Sequence, residues 1–585
     1  IVEKYLDGFD FRILVIDGKF VAAARREPAF VIGNGKDNIR ELIKEINKDP
    51  DRGVGHEKRL TKITINFMTK RLLSTQNLTL KSVLEKGKKV YVKSTANLSS
   101  GAVAHDVTDN VHPLNRYMFE QISRIVGLNV IGIDIMANTL ETPLETDVSG
   151  VVEVNAAPGF RMHLNPTKGN PINIASNIVD MLFPPNVEHS VPIVAVTGTN
   201  GKTTTTRLIA NILEANGDIV GMTSTDAVYI DNIPILKGDY SGPGGVSKVL
   251  MDSTIDHAVF EVARGGILRR GLGYKESDVG VLLNISSDHL GEGGINTLEE
   301  LTRLKSTVTE AVKPSGYAVF NAEDPLVLAC VDRTKAHPIL FSKDPENQAL
   351  KENYEKGNSN VTIIDNTIIL QKKGQSFSVA NILDIPITFG GKAGFNIENA
   401  LAAVAATSAL GLNVSEIKKG LISFNPSIDQ IPGRMNIIDI DDFKVVIDYG
   451  HNPGAVIATG EFLKTLMPGK IIRMASSVGN RRREDIIELG VALANYYNHV
   501  IICDPDPREK EIGETAEVLR EGLLKGGFKM DMISMVLNER EATIVALDMA
   551  RKGDLVVLQV DDLNQVIEDV LAYKTKLEYS HLKQI

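Results

Sequence analysis

The chain has 585 residues, 43% of them hydrophobic and 24% charged, with a formal net charge of −10. This is ordinary globular composition with room for about three or four domains, and its acidic balance gives a nucleic-acid partner little electrostatic support. Only two cysteines occur, Cys330 and Cys503, so no disulfide framework or cysteine zinc site is implied and a reducing, cytoplasmic setting is expected.

No apolar run approaches the ~18 residues of a membrane span, and no signal peptide opens the chain. The first residue is Ile1 rather than methionine, which leads us to expect an N-terminal truncation. Residues 11–24 read as a hairpin around Asp17-Gly18, the favoured tight-turn pair. A helix is expected from about Asn38 to Asn47, then a polar, mobile loop over 49–61, and a second helix over Leu114–Val126. Gly33-Asn-Gly35 lacks the third glycine of a dinucleotide fingerprint and reads as a turn. Ser94–Gly101 is a loop that either lies over a substrate or is plain surface. Val130–Met136 and Val151–Asn155 read as buried strands. Alternation along the second puts Glu153 and Asn155 on one face. With Asp134 they offer two carboxylates and an amide oxygen, a hard Mg²⁺ site; local hydrogen bonds could satisfy them equally well, and spacing alone leaves both open.

After Pro184-Pro185 comes an apolar, β-branched strand and then Gly198-Thr199-Asn200-Gly201-Lys202-Thr203-Thr204, running into a helix on which Leu208, Ile209, Ile212 and Leu213 share a face. A glycine turn between strand and helix lets backbone N–H groups converge on an anion, with a lysine as mobile charge and a threonine hydroxyl for Mg²⁺. The spacing is two residues tighter than the general P-loop pattern; the alternative is a helix cap. Two further strands, Ile255–Val262 and Val279–Ile285, end near Glu261 and Asn284. In an open parallel sheet ligands bind beyond the carboxyl ends of the strands. Glu261, Asn284, Asp288 and His289 should therefore emerge at the same edge as Lys202. Residues 347–387 read as strands joined by turns at Asn358-Ser-Asn, Asp365-Asn366 and Lys372-Lys-Gly, without chemistry. Ala400–Leu410 is a strong helix former. Further strands are expected ending at Asp448 and over Val500–Asp504 and Asp554–Val560. The stretch 476–485, with Arg481, Arg482 and Arg483, either binds a carboxylate or caps a helix.

Two family resemblances follow from these motifs. Asp134, Glu153-x-Asn155 and Pro158-Gly159 resemble the C-terminal half of an ATP-grasp ligase, which implies that the aspartate, glutamate and asparagine hold Mg²⁺ against ATP; by that match Arg12 helps hold an acyl phosphate. The loop 198–204, Glu261, Asn284-x-x-x-Asp288-His289 and Asn399 are similar to a Mur ligase. That resemblance implies Mg²⁺ at Thr203 and Glu261, a second Mg²⁺ at His289, a carbamylated Lys305, and nucleotide contacts around Asn321–Asp324 and Asn399. Ile431-Pro-Gly-Arg434 and Asp448-Tyr-Gly-His451-Asn-Pro resemble the linker and first turn of the Mur ligase C-terminal domain. Arg434 and His451 would then reach the phosphates and Asp448 the ribose. The expected fold is a multidomain α/β chain: the C-terminal part of an ATP-grasp α+β fold (1–185), a P-loop α/β central domain (186–426) and a Rossmann-like C-terminal domain (427–585).

The order of these parts is similar to that of ligases that polymerise aspartate and arginine into a branched peptide on a growing primer. The resemblance implies two ATP-driven steps through acyl phosphates and a homo-oligomer. A muramyl-peptide or folylpolyglutamate ligase would leave the 134–159 segment unexplained. A ligase of preformed dipeptides would not need an intact Gly201-Lys202-Thr203. A nucleotide-dependent binding module without catalysis would not need Glu261, His289, Lys305 and Arg434 together.

Overall fold

In a computed structural model the described residues are 4–55, 57–145, 148–185 and 190–582. They form two compact units, Ile1–His189 and Ser190–Ile585. The expected boundary at 185/186 abuts residues 186–189, which lie outside the described residues.

The first unit is built on a five-stranded antiparallel sheet in the order Val103–Asp106, Lys19–Glu27, Phe9–Ile16, Val130–Ala137, Gly150–Asn155. Asp17 and Gly18 turn the first hairpin with φ of 52° and 67°, the paired positive values that match the twist of the flanking strands. Helix Pro113–Val126 covers one face, burying Phe119 against Phe11, Ile13, Ile131, Ile133 and Ile135. Helix Ile39–Ile46 starts at Asn38 with a reciprocal cap to Glu41. Two sequence expectations need correction. Residues 151–155 are not buried: they lie on an edge strand paired only with Val130–Ala137, and Val151 and Val152 stay exposed. The expected loop at 49–61 also holds structure, since Arg52–Gly53 pairs in parallel with Leu60–Thr61. The Arg52 guanidinium, buried there, donates to the Thr61 carbonyl at 2.6 Å.

The second unit contains two sheets. Seven parallel strands run in the order Val220–Thr223, His257–Glu261, Ile193–Thr197, Ser277–Leu282, Val312–Asn321, His337–Phe341, Ser359–Ile364, and antiparallel pairs extend both ends to eleven strands. Strands buried on both faces read as continuous Val/Ile/Leu runs because helices cover each side. On one face lie Lys202–Glu214 and Gly394–Ala409. The alanines 400, 402, 403, 405 and 406 are fully buried and let the two helices approach closely in one core with Leu208, Ile209 and Ile212. Residues 347–387 are a third correction: they open with helix Gln348–Glu355, capped by Asn347 and anchored by buried Leu350, before three antiparallel strands. The six-stranded sheet has the order Asn436–Ile440, Phe443–Asp448, Leu555–Gln559, Ile471–Ala475, His499–Ile502, Ile533–Met535, parallel apart from its first pair. Among the described residues no helix is long and apolar enough to cross a membrane.

Candidate active site

The turn 198–201 leaves strand Ile193–Thr197 and enters helix Lys202–Glu214. It is fastened to the next parallel strand: Thr199 N–H donates to the Asn284 carbonyl at 2.9 Å and Asn200 N–H to Asn284 Oδ1 at 2.8 Å. The Asn284 amide donates back to the Asn200 carbonyl at 3.1 Å. Gly198 is needed for close approach, since a Cβ there would lie 2.9 Å from Leu283 Cβ. Gly201 is needed twice over: its φ is +86°, and a Cβ would lie 2.3 Å from Asn399 Oδ1. Gly201→Ala is therefore expected to cost about 1–3 kcal/mol of stability from backbone strain, read as a lower denaturant midpoint at unchanged slope. A variant as stable as the parent would contradict this account of the turn.

Beyond the strand ends opens a cavity of ≈ 1060 Å³. Its wall includes Thr199, Asn200, Gly201, Lys202, Thr203, Thr204, Glu261, Asn284, Asp288, His289, Lys305, Asn399, Arg434, Asp448 and His451. Lys202 folds back so that its Nζ donates to the Thr199 carbonyl at 2.9 Å. Glu261, 1% exposed, accepts from the Thr203 hydroxyl at 2.9 Å and from Thr225 N–H at 3.3 Å through one oxygen. The other oxygen is buried without a hydrogen-bond partner. Burial raises the Glu261 pKa, opposed by the charges of Lys202 and Arg434. A buried, underused carboxylate oxygen beside a threonine hydroxyl suits a hard divalent cation such as Mg²⁺. Arg434 reaches in from the linker, its Nη2 donating to Thr203 Oγ1 at 3.3 Å and its guanidinium lying 4.3 Å from the Tyr449 ring centroid.

Lys305 lies on helix Leu298–Glu310 and is 4% exposed. Its Nζ donates to the Gly198 carbonyl at 2.6 Å. Burial, helped by the neighbouring Lys202 charge, lowers its pKa to about 7. Such a group is often unprotonated at neutral pH, unlike a solvated helical lysine.

The ligating atoms of Asp288, His289 and His451 lie within 4.8 Å of one another. Between them comes Arg481, whose Nη1 is 2.7 Å from Asp288 and whose Nη2 is 3.1 Å from His289 Nε2. That contact makes Nε2 the acceptor, so the ring proton sits on Nδ1, which faces Glu292 at 3.3 Å. Burial lowers the His289 pKa to about 4 although Asp288 opposes it. Against its own burial, His451, Arg481 and His289 together hold Asp288 at about 2. A cation at His289 would have to share or displace the Arg481 guanidinium.

Asn399 accepts from the Thr205 hydroxyl at 3.2 Å, bracing the first turn of the helix after Lys202. Both oxygens of Asp448 receive backbone N–H groups, from Met435 at 3.0 Å and Gly450 at 2.8 Å. The sequence reading did not single out Asn452. Its side-chain amide exchanges two hydrogen bonds with that of Asn200, at 2.8 and 3.2 Å, clasping the two sheets' turns together. Its place in the Asp448–Pro453 turn was the available signal.

In the first unit Arg12, Asp134 and Glu153 fall in one cross-strand row. Arg12 donates to Asp134 through Nε and, at 3.0 Å, through Nη2. Arg26 lies 3.0 Å from the same carboxylate and also binds Asp10. Glu153 is exposed, and the Asn155 amide nitrogen is buried without a partner. Two guanidinium groups thus bind the Asp134 oxygens, so a cation held there with Glu153 and Asn155 would have to share that carboxylate with Arg12 and Arg26.

The Mur ligase middle domain matches residues 196–407 and the Mur ligase glutamate ligase domain residues 433–559. Over nearly its whole length the chain is also similar to cyanophycin synthetase. It is 44% identical over 570 residues to that of Crocosphaera subtropica, covering 97% of this chain and 65% of the relative. It is 43% identical over 576 residues to that of a Synechocystis species, covering 98% and 66%. The chain thus spans about two thirds or slightly less of the length of these relatives. A glutathione biosynthesis bifunctional protein of Clostridium perfringens is 34% identical over 183 residues, 31% of this chain and 24% of the relative.

Proposed function

We propose that the chain is an ATP-dependent amide ligase of cyanophycin synthesis, joining aspartate and arginine into a branched polymer. In this reading the cavity of the second unit attaches arginine to the β-carboxylate of aspartate, and the first unit belongs to an ATP-grasp site that extends the aspartate backbone. The observation that carries it is a single cavity holding Lys202, the Thr203–Glu261 pair, Lys305, Arg434 and His451. Similarity to cyanophycin synthetase over 97% of the chain supports the choice of substrates.

A carboxylate is a poor electrophile, being anionic and resonance-stabilised. Transfer of the ATP γ-phosphoryl group gives an acyl phosphate, which the amine of arginine attacks with loss of phosphate. Lys202 and Arg434 supply positive charge where the phosphoryl group carries negative charge. Thr203 and Glu261 would hold Mg²⁺, which when bound would supply positive charge against the anionic phosphate. His289 would sit by the accepting carboxylate. Asp448 fixes the turn that presents His451, and Asn200 and Asn452 keep that turn against the phosphate loop. Lys305, partly unprotonated near neutral pH, is a nucleophile for CO₂: its amine gains a carboxyl group and releases one proton, replacing a buried cation by an anion facing the phosphate loop.

Phosphate release from ATP should depend on arginine and on a β-aspartyl acceptor together. Nucleotide binding without release under any acceptor would overturn the ligase reading. In a full-length enzyme, Glu153→Ala should block backbone extension while leaving arginine addition measurable. Loss of both in a folded protein would contradict two separate sites.

A further inference from the structure

Arg207 follows Thr203 by one helical turn on Lys202–Glu214 and is 3% exposed. Its guanidinium forks in two directions. Nη2 donates to Asp226 and to the Tyr229 hydroxyl, both at 2.6 Å. Nη1 donates at 2.9 Å to the backbone carbonyl of Gln430, four residues before Arg434. The guanidinium also lies 4.6 Å from the centroid of the Tyr229 ring. Asp226 is further held by the Ser224 hydroxyl. The residue between them, Thr225, has its hydroxyl 3.5 Å from that of Thr203 and donates its N–H to Glu261.

The linker is pinned on its far side as well. Ile431 is fully buried in the core of the parallel sheet. Gly433 N–H donates to Asn436 Oδ1 at 2.7 Å, and the Gly433 carbonyl accepts from Tyr449 N–H at 3.0 Å. Through two nitrogens of one rigid guanidinium Arg207 holds a carboxylate, a phenol and a carbonyl at once, a fixed spread of donors that a lysine's point-like ammonium does not match.

We propose that Arg207 is a positioning residue: it ties the linker carrying Arg434 to the helix carrying Thr203, and so sets the Arg434 guanidinium over the phosphate loop. This rests on the ligase reading of the cavity. The charge that must meet the phosphoryl group is on a flexible side chain at the end of an interdomain linker. Arg207 fixes the backbone from which it springs, and through Asp226 and Thr225 the same network reaches the Thr203–Glu261 pair. Orientation errors of about 1 Å can cost roughly 10²-fold in rate, so a residue that never touches substrate can control turnover.

The test is a double-mutant cycle between Arg207 and Arg434 with phosphate release as readout. Arg207→Met is combined with Asp226→Asn so that no buried carboxylate is left alone. We expect kcat to fall about 10- to 100-fold while the KM for ATP moves less than about threefold. In an Arg434→Ala background the same change should cost less than about threefold, because its target is already gone. Hydrogen exchange at the Ile431, Gly433 and Arg434 amides should quicken. Arg207→Lys, which keeps the buried charge, should lie between and carries the test where the methionine variant unfolds. An undiminished loss in the Arg434→Ala background, or unchanged exchange, would overturn the proposal. No effect of Arg434→Ala alone would overturn the ligase role of Arg434 beneath it.

Discussion

Lys202→Ala is expected to lower arginine-dependent phosphate release by about 10²- to 10³-fold, the usual cost of losing one preorganised charge from a transition-state site. The side chain rests on the carbonyl of Thr199 at 2.9 Å, within the loop that lines the cavity. Its removal also reaches two neighbours. Among the charges acting on Glu261, that of Lys202 does most to favour the carboxylate, so the already raised Glu261 pKa should rise further. Lys202 also depresses Lys305, which should recover part of its ordinary basicity. The residual activity of the variant should therefore appear at higher pH than in the parent. Nucleotide affinity measured by calorimetry would separate lost binding from lost turnover. Near-normal release with an unshifted pH profile would remove Lys202 from the mechanism.

Lys305→Arg is expected to abolish activity at every pH, because a guanidinium cannot lose its proton and cannot take up CO₂. The parent should gain activity as the pH rises through about 7, where its amine deprotonates, and should respond to bicarbonate in CO₂-depleted buffer. Stability gives a second, independent reading. The folded pKa of about 7 lies below the ordinary 10.5, so between those values the unfolded chain holds more protons and stability climbs with pH. Below about pH 7 the full burial penalty of the cation applies. Lys305→Met should therefore raise the melting temperature most at pH 6–7, with the gain fading toward pH 10. An active arginine variant, or a pH-independent change in melting temperature, would contradict this account.

Elements with a strong local signal were legible in the sequence. The strand, glycine turn and helix at 193–214 combine a β-branched run, a Gly-x-x-Gly-Lys-Thr turn and helical spacing of apolar residues, all within about twenty positions. The placing of Glu261 at the end of one parallel strand and of Asn284 just beyond another followed from the same logic. Local pattern failed where a neighbour decides. Residues 151–155 have the composition of a buried strand, but sheet order leaves them at an edge. Gln348–Glu355 is a helix because Asn347 caps it and Leu350 finds a core, neither of which strand propensity registers.

The sequence alone determined which residue types stand at the phosphate loop, which strand ends they follow, and that two distant cysteines imply no disulfide framework or cysteine zinc site. It could not determine charge state or partnership. That Lys305 is buried against the Gly198 carbonyl, that Arg481 lies between Asp288 and His289, and that Arg207 grips the linker at Gln430 are consequences of packing. Contacts separated by 107, 192 and 223 positions leave no periodicity to read. Desolvation, which sets the acidity of Lys305 and Glu261, depends on what the folded chain places around a group, and a linear pattern carries no such information.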